Sequence, residues 1–155
     1  MATKKENSKR GRPSTPPTSH TEVEGELCKR FYNKFGQEAL PIIEDVFREW
    51  GTVLGEKRKA KMPKVDLRAA IEAYFGPALN REPKPKIIEP CEGRIELHNF
   101  VCPYCLNGAG RELCQAMMAM DRAMLETLLG DEIDYEVPKT VADGDEYCLG
   151  VITRK

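Results

Sequence analysis

Residue types that bind metals or attack as nucleophiles are concentrated in one stretch of this chain. Five of its six cysteines and one of its two histidines lie between positions 91 and 148. Thiolates and imidazoles are the ligands that zinc prefers, and a thiolate is also a nucleophile. The stretch therefore predicts a metal site, a reactive thiol, or both, from the residues Cys91, His98, Cys102, Cys105, Cys114 and Cys148.

The sequence Cys102-Pro-Tyr-Cys105 could hold one metal ion from a tight turn, as structural zinc sites do. His98 lies four residues upstream and Cys114 nine residues downstream, so four ligands are available locally. The same pair could instead supply a reactive thiol or a redox couple. A redox pair usually opens a helix directly after a strand, and no such unit is predicted here. We therefore favour a metal, and both alternatives stay open.

A second group of candidate ligands lies near the C-terminus. Glu136 falls on one predicted strand and Cys148 on the next. If these strands pair, both side chains could face Cys114 and form part of a zinc shell. The alternative is an exposed Glu136, because Asp134 shares its face by strand alternation. The candidate metal ligands are Cys102, Cys105, Cys114, Cys148 and Glu136.

The longest predicted helix covers residues 109–129 and ends at Gly130. Its methionine-rich apolar face indicates core packing or the wall of a deformable pocket. Cys114 and Asp121 are seven residues apart and stack at the border of this face, where an acid needs a partner. The candidate catalytic residues are Cys114 as a nucleophile and Asp121 and His98 as proton carriers.

The surrounding pattern predicts an α+β fold, with N-terminal helices followed by an antiparallel sheet packed on the long helix. Apolar residues recur at helical spacing in the first half and alternate in the second. The first helix is indicated by Val23, Leu27, Phe31 and Phe35, which recur at four-residue spacing. The predicted helices are 22–35, about 37–54 and about 66–75, and the predicted strands are 87–88, 94–100, 132–137 and 146–153.

We expect residues 1–21 to be a disordered basic tail and residues 22–155 to form one cysteine-rich domain. Within that domain, 22–79 are the helical part and 86–155 the sheet and long helix. The first 20 residues carry five Lys or Arg and one Glu, a net +4, which leaves −5 on the rest. The segment Lys9-Arg-Gly-Arg-Pro13 resembles an AT-hook, so the tail is either a weak DNA contact or a solubilising segment.

Composition also bounds the location and the partners of this chain. No apolar run is long enough to span a bilayer, and no apolar core follows the basic N-terminus. We therefore expect a cytoplasmic protein without a membrane partner. A small-molecule ligand or substrate is expected, and a homodimer is left open.

Several positions together resemble the 4-vinyl reductase-type domain: Cys114 early in a long helix, Gly130 closing it, Glu136 ending a strand, and Gly144-Asp145-Glu146-Tyr147-Cys148. The span from about residue 22 is also similar to the L-2-amino-thiazoline-4-carboxylate hydrolase-like family. The resemblance implies a small α+β ligand-binding domain, found in sensors of hydrocarbons and phenols and often holding zinc. Sensor-type members carry a further cysteine shortly after the Glu, where this chain has Val137-Pro138-Lys139. A zinc shell here must therefore recruit Cys105, Cys102 or His98.

These features lead to two functional hypotheses. The first is a metal-binding domain, with zinc as the expected metal, that binds a small molecule; its enzymatic form would hydrolyse a small cyclic amidine or amide such as an amino-thiazoline carboxylate. In that case zinc would activate water, or a cysteine thiolate would attack the ring carbon. The alternative is a ligand sensor or regulatory module, without catalysis, whose basic tail contacts DNA or a partner.

Overall fold

The computed structural model describes residues 16–62, 65–130 and 133–155. In these ranges the chain forms five α-helices, three short 3-10 helices and one four-stranded antiparallel sheet, which confirms the α+β prediction. The helices are α1 (His20–Phe35), α2 (Ala39–Lys59), α3 (Leu67–Phe75), α4 (Arg111–Met117) and α5 (Ala119–Leu129). The strands are β1 (Lys86–Cys91), β2 (Arg94–Asn99), β3 (Ile133–Lys139) and β4 (Cys148–Arg154).

Side-chain caps fix where the first and third helices begin. The Ser19 hydroxyl accepts a hydrogen bond from the Glu22 N–H (3.2 Å), so α1 begins at His20, two residues before the predicted start. Asp66 caps α3 by accepting from the Ala69 N–H at 2.7 Å, as its position before an apolar run predicts. The expected disorder of the tail falls mainly on residues 1–15, which lie outside the described residues.

The strand order β1-β2-β4-β3 places β1 and β3 at the edges of the sheet. Ile95 pairs with Ile152 and Leu97 with Gly150, and these positions share the face that we call the inner face. It packs on α3 and α5 in a core formed by Leu67, Ala70, Ile71, Phe75, Ile95, Leu97, Met124, Leu125, Leu128, Ile133 and Ile152. The opposite, outer face carries Glu96 and His98 from β2.

Two glycines let α2 cross α5 at very short range. A Cβ atom at Gly51 would lie 2.2 Å from the Met120 carbonyl oxygen, and one at Gly55 would lie 2.8 Å from that of Met124. Any larger residue would force the helices apart. Beyond this crossing α2 packs on α4, in a second core that includes Ile43, Leu113, Met117 and Met120.

The predicted long helix is wrong in one respect, because it divides at Met118. Met118 has φ −69° and ψ −7°, so the turn between α4 and α5 leaves regular helical geometry. The bend is shallow, since the Met118 N–H still donates to the Cys114 carbonyl (2.9 Å) and the Arg122 N–H to that of Met118 (3.2 Å). Gly130 ends α5 in a left-handed conformation, as predicted.

Three of the four residues in the apolar stripe of α1 are exposed, and Phe31 packs against the second core. Val23, Leu27 and Phe35 are about half or more exposed, at 51%, 66% and 46%. The buried side of α1 instead presents Gly25 and Lys29. The periodicity identified an amphipathic helix, but here the apolar side faces outward.

No helix within the described ranges is both long enough and apolar enough to cross a membrane.

Candidate functional site

A buried carboxyl group lies at the centre of the molecule. Asp121 on α5 is 3% exposed, and its side chain accepts hydrogen bonds from two tyrosine hydroxyls. One is Tyr74 from α3; the other is Tyr135 from β3, at 3.4 Å. Burial raises the pKa of Asp121 to about 6, although the two tyrosines oppose the shift by stabilising the carboxylate. The expected partner for this acid is thus a pair of tyrosines.

The two tyrosines are held as hydrogen-bond donors. Burial, together with the nearby Asp121 charge, raises the pKa of Tyr74 and of Tyr135 well above the ordinary range. The Tyr135 ring lies over the inner face of β4, where Gly150 leaves room for it. A Cβ atom on Gly150 would approach that ring to 3.2 Å. Tyr135 therefore spans from the sheet to Asp121 with its proton retained.

Two thiols meet beside this centre, at Thr140. The Thr140 hydroxyl, on a residue that is 1% exposed, donates to Cys114 Sγ at 3.3 Å and accepts from Cys148 Sγ at 3.7 Å. Cys148 Sγ also accepts from the Val141 N–H at 3.4 Å. Sequence reasoning paired Cys114 with Cys148 but missed Thr140. Thr140 could have been found from its position before the short helical turn Val141–Asp143, because its hydroxyl caps that turn.

Burial keeps two of the predicted site thiols, Cys114 and Cys102, protonated. Burial raises the pKa of Cys114 to about 11, and the hydrogen bond from Thr140 offsets only part of that. Burial likewise raises the pKa of Cys102 above its ordinary value. Since the thiolate is the nucleophile and the metal ligand, neither group is activated for attack at neutral pH.

The Cys102–Cys105 turn anchors α1. The Cys105 N–H donates to the Cys102 carbonyl at 3.1 Å, and Cys105 has a positive φ of 54°. The buried ammonium of Lys29 donates to the Cys105 carbonyl at 3.1 Å. A Cβ atom at Gly25 would lie only 2.0 Å from the Tyr104 carbonyl oxygen, so this helix lies directly on the turn. The turn thus has a structural use whatever its thiols do.

Three other predicted site residues lie away from Asp121 and Cys114. His98 is on the outer face of the sheet, where its ring stacks on Tyr147 with centroids 5.2 Å apart and planes 8° apart. Glu136 pairs with Val151, three residues from Cys148, so strand alternation sends the two side chains to opposite faces. Cys91 is exposed beside the β1–β2 turn, about 17 Å along the strand from the Cys148 end.

The predicted zinc shell is not assembled in the part of the chain that the structure describes. No three His, Cys, Asp or Glu side chains there are arranged to hold a metal ion. Cys105 and Glu136 are exposed, and Cys114 and Cys148 are engaged with Thr140. The donor set of Cys102, Cys105, Cys114, Cys148 and Glu136 therefore does not fit a zinc ion.

A groove of about 850 Å³ opens between α2 and β3, above α4 and α5; we call it the α2–β3 groove. Tyr135 and Met118 lie in its lining, so the groove reaches the tyrosine that donates to Asp121. Small side chains provide its floor. The floor includes Ala116, Ala119 and Ala123, and the α2 wall presents Leu40, Glu44, Arg48 and Thr52 at four-residue spacing.

The side chains that line the groove carry a net negative charge. Within the described residues, its lining holds four carboxylates against two guanidinium groups, a net of −2, from Glu44, Glu112, Glu126, Glu136, Arg48 and Arg122. Glu112 accepts from Tyr32 (2.8 Å) and Gln37 (2.6 Å), and these bonds lower its pKa. A groove with this balance disfavours an anionic ligand and suits a neutral or cationic one.

Arginines cover the free edge of β3 beside the groove. Arg122 donates to the Tyr135 carbonyl at 3.2 Å. Arg111 donates to the carbonyls of Val137 (2.6 Å) and Pro138 (3.1 Å). With these carbonyl groups occupied, the edge is a poor template for a further strand. The groove is therefore better suited to a small molecule than to an extended peptide.

Comparison with known proteins identifies the fold. No family model matches the chain, and no curated protein matches it. Two of the solved structures that are similar to it come from different kinds of protein. One is a trafficking protein particle complex subunit 3 from Naegleria fowleri covalently bound to palmitic acid, with TM-score 0.62 and 11% identity over 87% of this chain and 92% of that one. The other is the phenol-responsive sensory domain of the transcription activator PoxR with phenol, with TM-score 0.61 and 16% identity over 90% and 76%. At these identities the likeness shows the fold alone.

Proposed function

We propose that this chain is a ligand-binding domain of the sensor type, which takes a neutral or cationic small molecule with an apolar body into the α2–β3 groove. The observation that carries the proposal is Tyr135, which lines the groove and also donates to the buried Asp121. A ligand in the groove would thus contact a side chain connected to the core. The similarity of fold to a sensory domain with phenol is consistent with this role. We also propose that the chain is related to the 4-vinyl reductase-type domain and to the L-2-amino-thiazoline-4-carboxylate hydrolase-like family.

The protonated Cys114 thiol and the position of His98 favour ligand binding over hydrolysis. The Cys114 thiol has a pKa of about 11 because it is buried, so it is a weak nucleophile at neutral pH. His98, the predicted proton carrier, lies on the other face of the sheet. Cys114 and Asp121 do share the same interior, but without an activated nucleophile they supply hydrogen bonding and packing.

Three predictions from the sequence remain independent of this groove. Elemental analysis of freshly purified protein checks the zinc hypothesis. Binding of A·T-rich DNA by the full chain, compared with a chain lacking residues 1–15, checks the tail hypothesis. The cytoplasmic location stays a prediction.

The proposal is tested with three probes that share a benzene ring and differ in charge: phenol, benzamidine and benzoate. We expect phenol and benzamidine to raise the melting temperature of the protein in a concentration-dependent way, and benzoate to leave it unchanged. The acidic lining is the reason for the difference. If none of the three binds, or if benzoate binds best, the proposed ligand class is wrong.

A matched pair of variants locates the binding. Tyr135→Phe removes the hydroxyl at the groove, and Tyr147→Phe makes the same change beside His98 on the outer face. We expect phenol affinity to fall about five- to tenfold in Tyr135→Phe, the loss of one hydrogen bond, and to stay unchanged in Tyr147→Phe. Equal affinities in both variants would place the probe elsewhere.

A further inference from the structure

The exposed apolar side chains of this protein are not scattered. Across the described ranges, nine large hydrophobic residues are exposed, and seven of them lie on α1 and α2. Their exposed fractions run from 43% to 66%. We call this surface the α1–α2 patch; it consists of Val23, Leu27, Phe35, Ile42, Val46, Trp50 and Val53.

Four residues of the patch, Leu27, Ile42, Val46 and Trp50, line one groove. A concave region of about 460 Å³ runs between the two helices, with Leu27 and Phe31 on one side and Val46, Phe47 and Trp50 on the other. Glu24 is the single charged residue in the described lining of this groove. Among the described residues, desolvating the lining of this groove would therefore bury only the charge of Glu24.

The size of the patch matches what a dimer requires. The exposed fractions of its seven side chains correspond to about 700 Å² of accessible area. Monomeric proteins rarely expose a contiguous apolar patch of this extent, and a standard stable interface buries about 800 Å² on each partner. One further copy of the same patch would therefore suffice to cover it.

The charges at the margin of the patch indicate that its partner is a second copy. α1 is acidic in its first half and basic in its second, with Glu22, Glu24 and Glu26 followed by Lys29, Arg30 and Lys34. At the patch, Glu24 lines the groove and the Lys34 ammonium lies 5.2 Å from the Phe35 ring centroid. Two copies of α1 packed antiparallel would place each Glu24 opposite the partner's Lys34, an isologous and self-complementary arrangement.

We propose that the protein forms a homodimer through the α1–α2 patch, with the two α1 helices antiparallel. This interface is separate from the α2–β3 groove, which uses the Leu40, Glu44, Arg48 and Thr52 side of α2. The dimer can therefore form whether or not the ligand proposal is correct.

Sedimentation velocity of the full chain over a micromolar concentration series tests the proposal. We expect a reversible dimer, and Val46→Glu should weaken it at least about thirtyfold, because it inserts a charge into the apolar interface. Val101→Glu is the matched control, since Val101 is 50% exposed, like Val46 at 57%, but lies outside the patch. A monomer throughout the series, or a dimer that Val46→Glu leaves intact, would overturn the proposal.

Two further measurements keep the test sharp if Val46→Glu folds poorly. Trp50 is the single tryptophan of the chain and lies in the patch, so its fluorescence should shift to the red as a dimer is diluted. Glu24→Lys and Lys34→Glu should each weaken the dimer, and combining them should restore it. If the double variant dimerises as weakly as either single variant, antiparallel pairing is contradicted. A monomer whose Trp50 is shielded from solvent would mean that another part of the same chain covers the patch, which would overturn the dimer proposal.

Discussion

The two faces of the sheet carry similar residue types in opposite surroundings. Tyr135 on the inner face and Tyr147 beside the outer face are both tyrosines next to a predicted site residue. Tyr135 is held against Asp121 in the core, whereas Tyr147 stacks on His98 at a partly exposed surface. Burial raises the pKa of Tyr135 and of Asp121. Burial in the core, more than residue type, therefore decides which of these groups has a shifted pKa.

The largest effect is expected where a carboxyl group is removed from the interior. At pH 5, Asp121→Ala should cost about 3 kcal/mol in the free energy of unfolding, because two buried tyrosine hydroxyls lose their acceptor and a cavity remains. Urea unfolding measures the change. Glu136→Ala, the removal of an exposed carboxylate from β3, should stay within about 0.5 kcal/mol. Similar losses in the two variants would mean that the buried and the exposed carboxyl groups contribute equally to stability.

A smaller effect should appear in the pH dependence of stability. The pKa of Asp121 rises from 3.8 to about 6 on folding, mainly through burial. Between these values the native state binds more protons than the unfolded state, so stability must fall as the pH rises. The contribution of Asp121 should decrease by about 2 kcal/mol from pH 4 to pH 7.

Asp121→Asn isolates that contribution, because the amide does not titrate and the other acidic groups are unchanged. Subtracting the urea-derived stabilities of the variant from those of the parent should leave the predicted fall with rising pH. A difference that is flat over this range would mean that Asp121 has an ordinary pKa and is not desolvated.

The smallest effect on stability is expected for the two tyrosine variants. Tyr135→Phe should cost about 1 kcal/mol in the free energy of unfolding, since it removes one buried hydrogen bond to Asp121. Tyr147→Phe should cost less than about 0.5 kcal/mol, because its stacking on His98 survives the loss of the hydroxyl. Thermal and urea unfolding of both variants provide the comparison, and a costlier Tyr147→Phe would reverse the assignment of the two faces.

Much of the fold could be predicted because local signals and tertiary structure agree. Asp66 before an apolar run marked α3, and Gly130 marked the end of α5. The alternation around Ile95 and Leu97 marked β2 and its buried side. Each of these signals acts within a few residues, where backbone sterics and hydrogen bonding leave few options.

The site was harder to predict because it depends on strand pairing and on what covers each helix. Cys148 and Glu136 lie on paired strands, as expected, but their register places them on opposite faces. Tyr135 could have been found, since alternation puts it on the same side as the buried Ile133. The exposure of Leu27 could not, because periodicity reveals an apolar stripe without its partner.

The central claim is that the α2–β3 groove takes a small molecule beside Tyr135. Methyl NMR spectra of the protein with ¹³C-labelled alanine and methionine, recorded during a phenol titration, test it most directly. Met118 and Ala119 line the groove, and Ala69 lies on α3, outside the described lining of the groove. We predict saturable shifts at Met118 and Ala119 and none at Ala69. Saturable binding that leaves the Met118 and Ala119 signals in place would contradict the account.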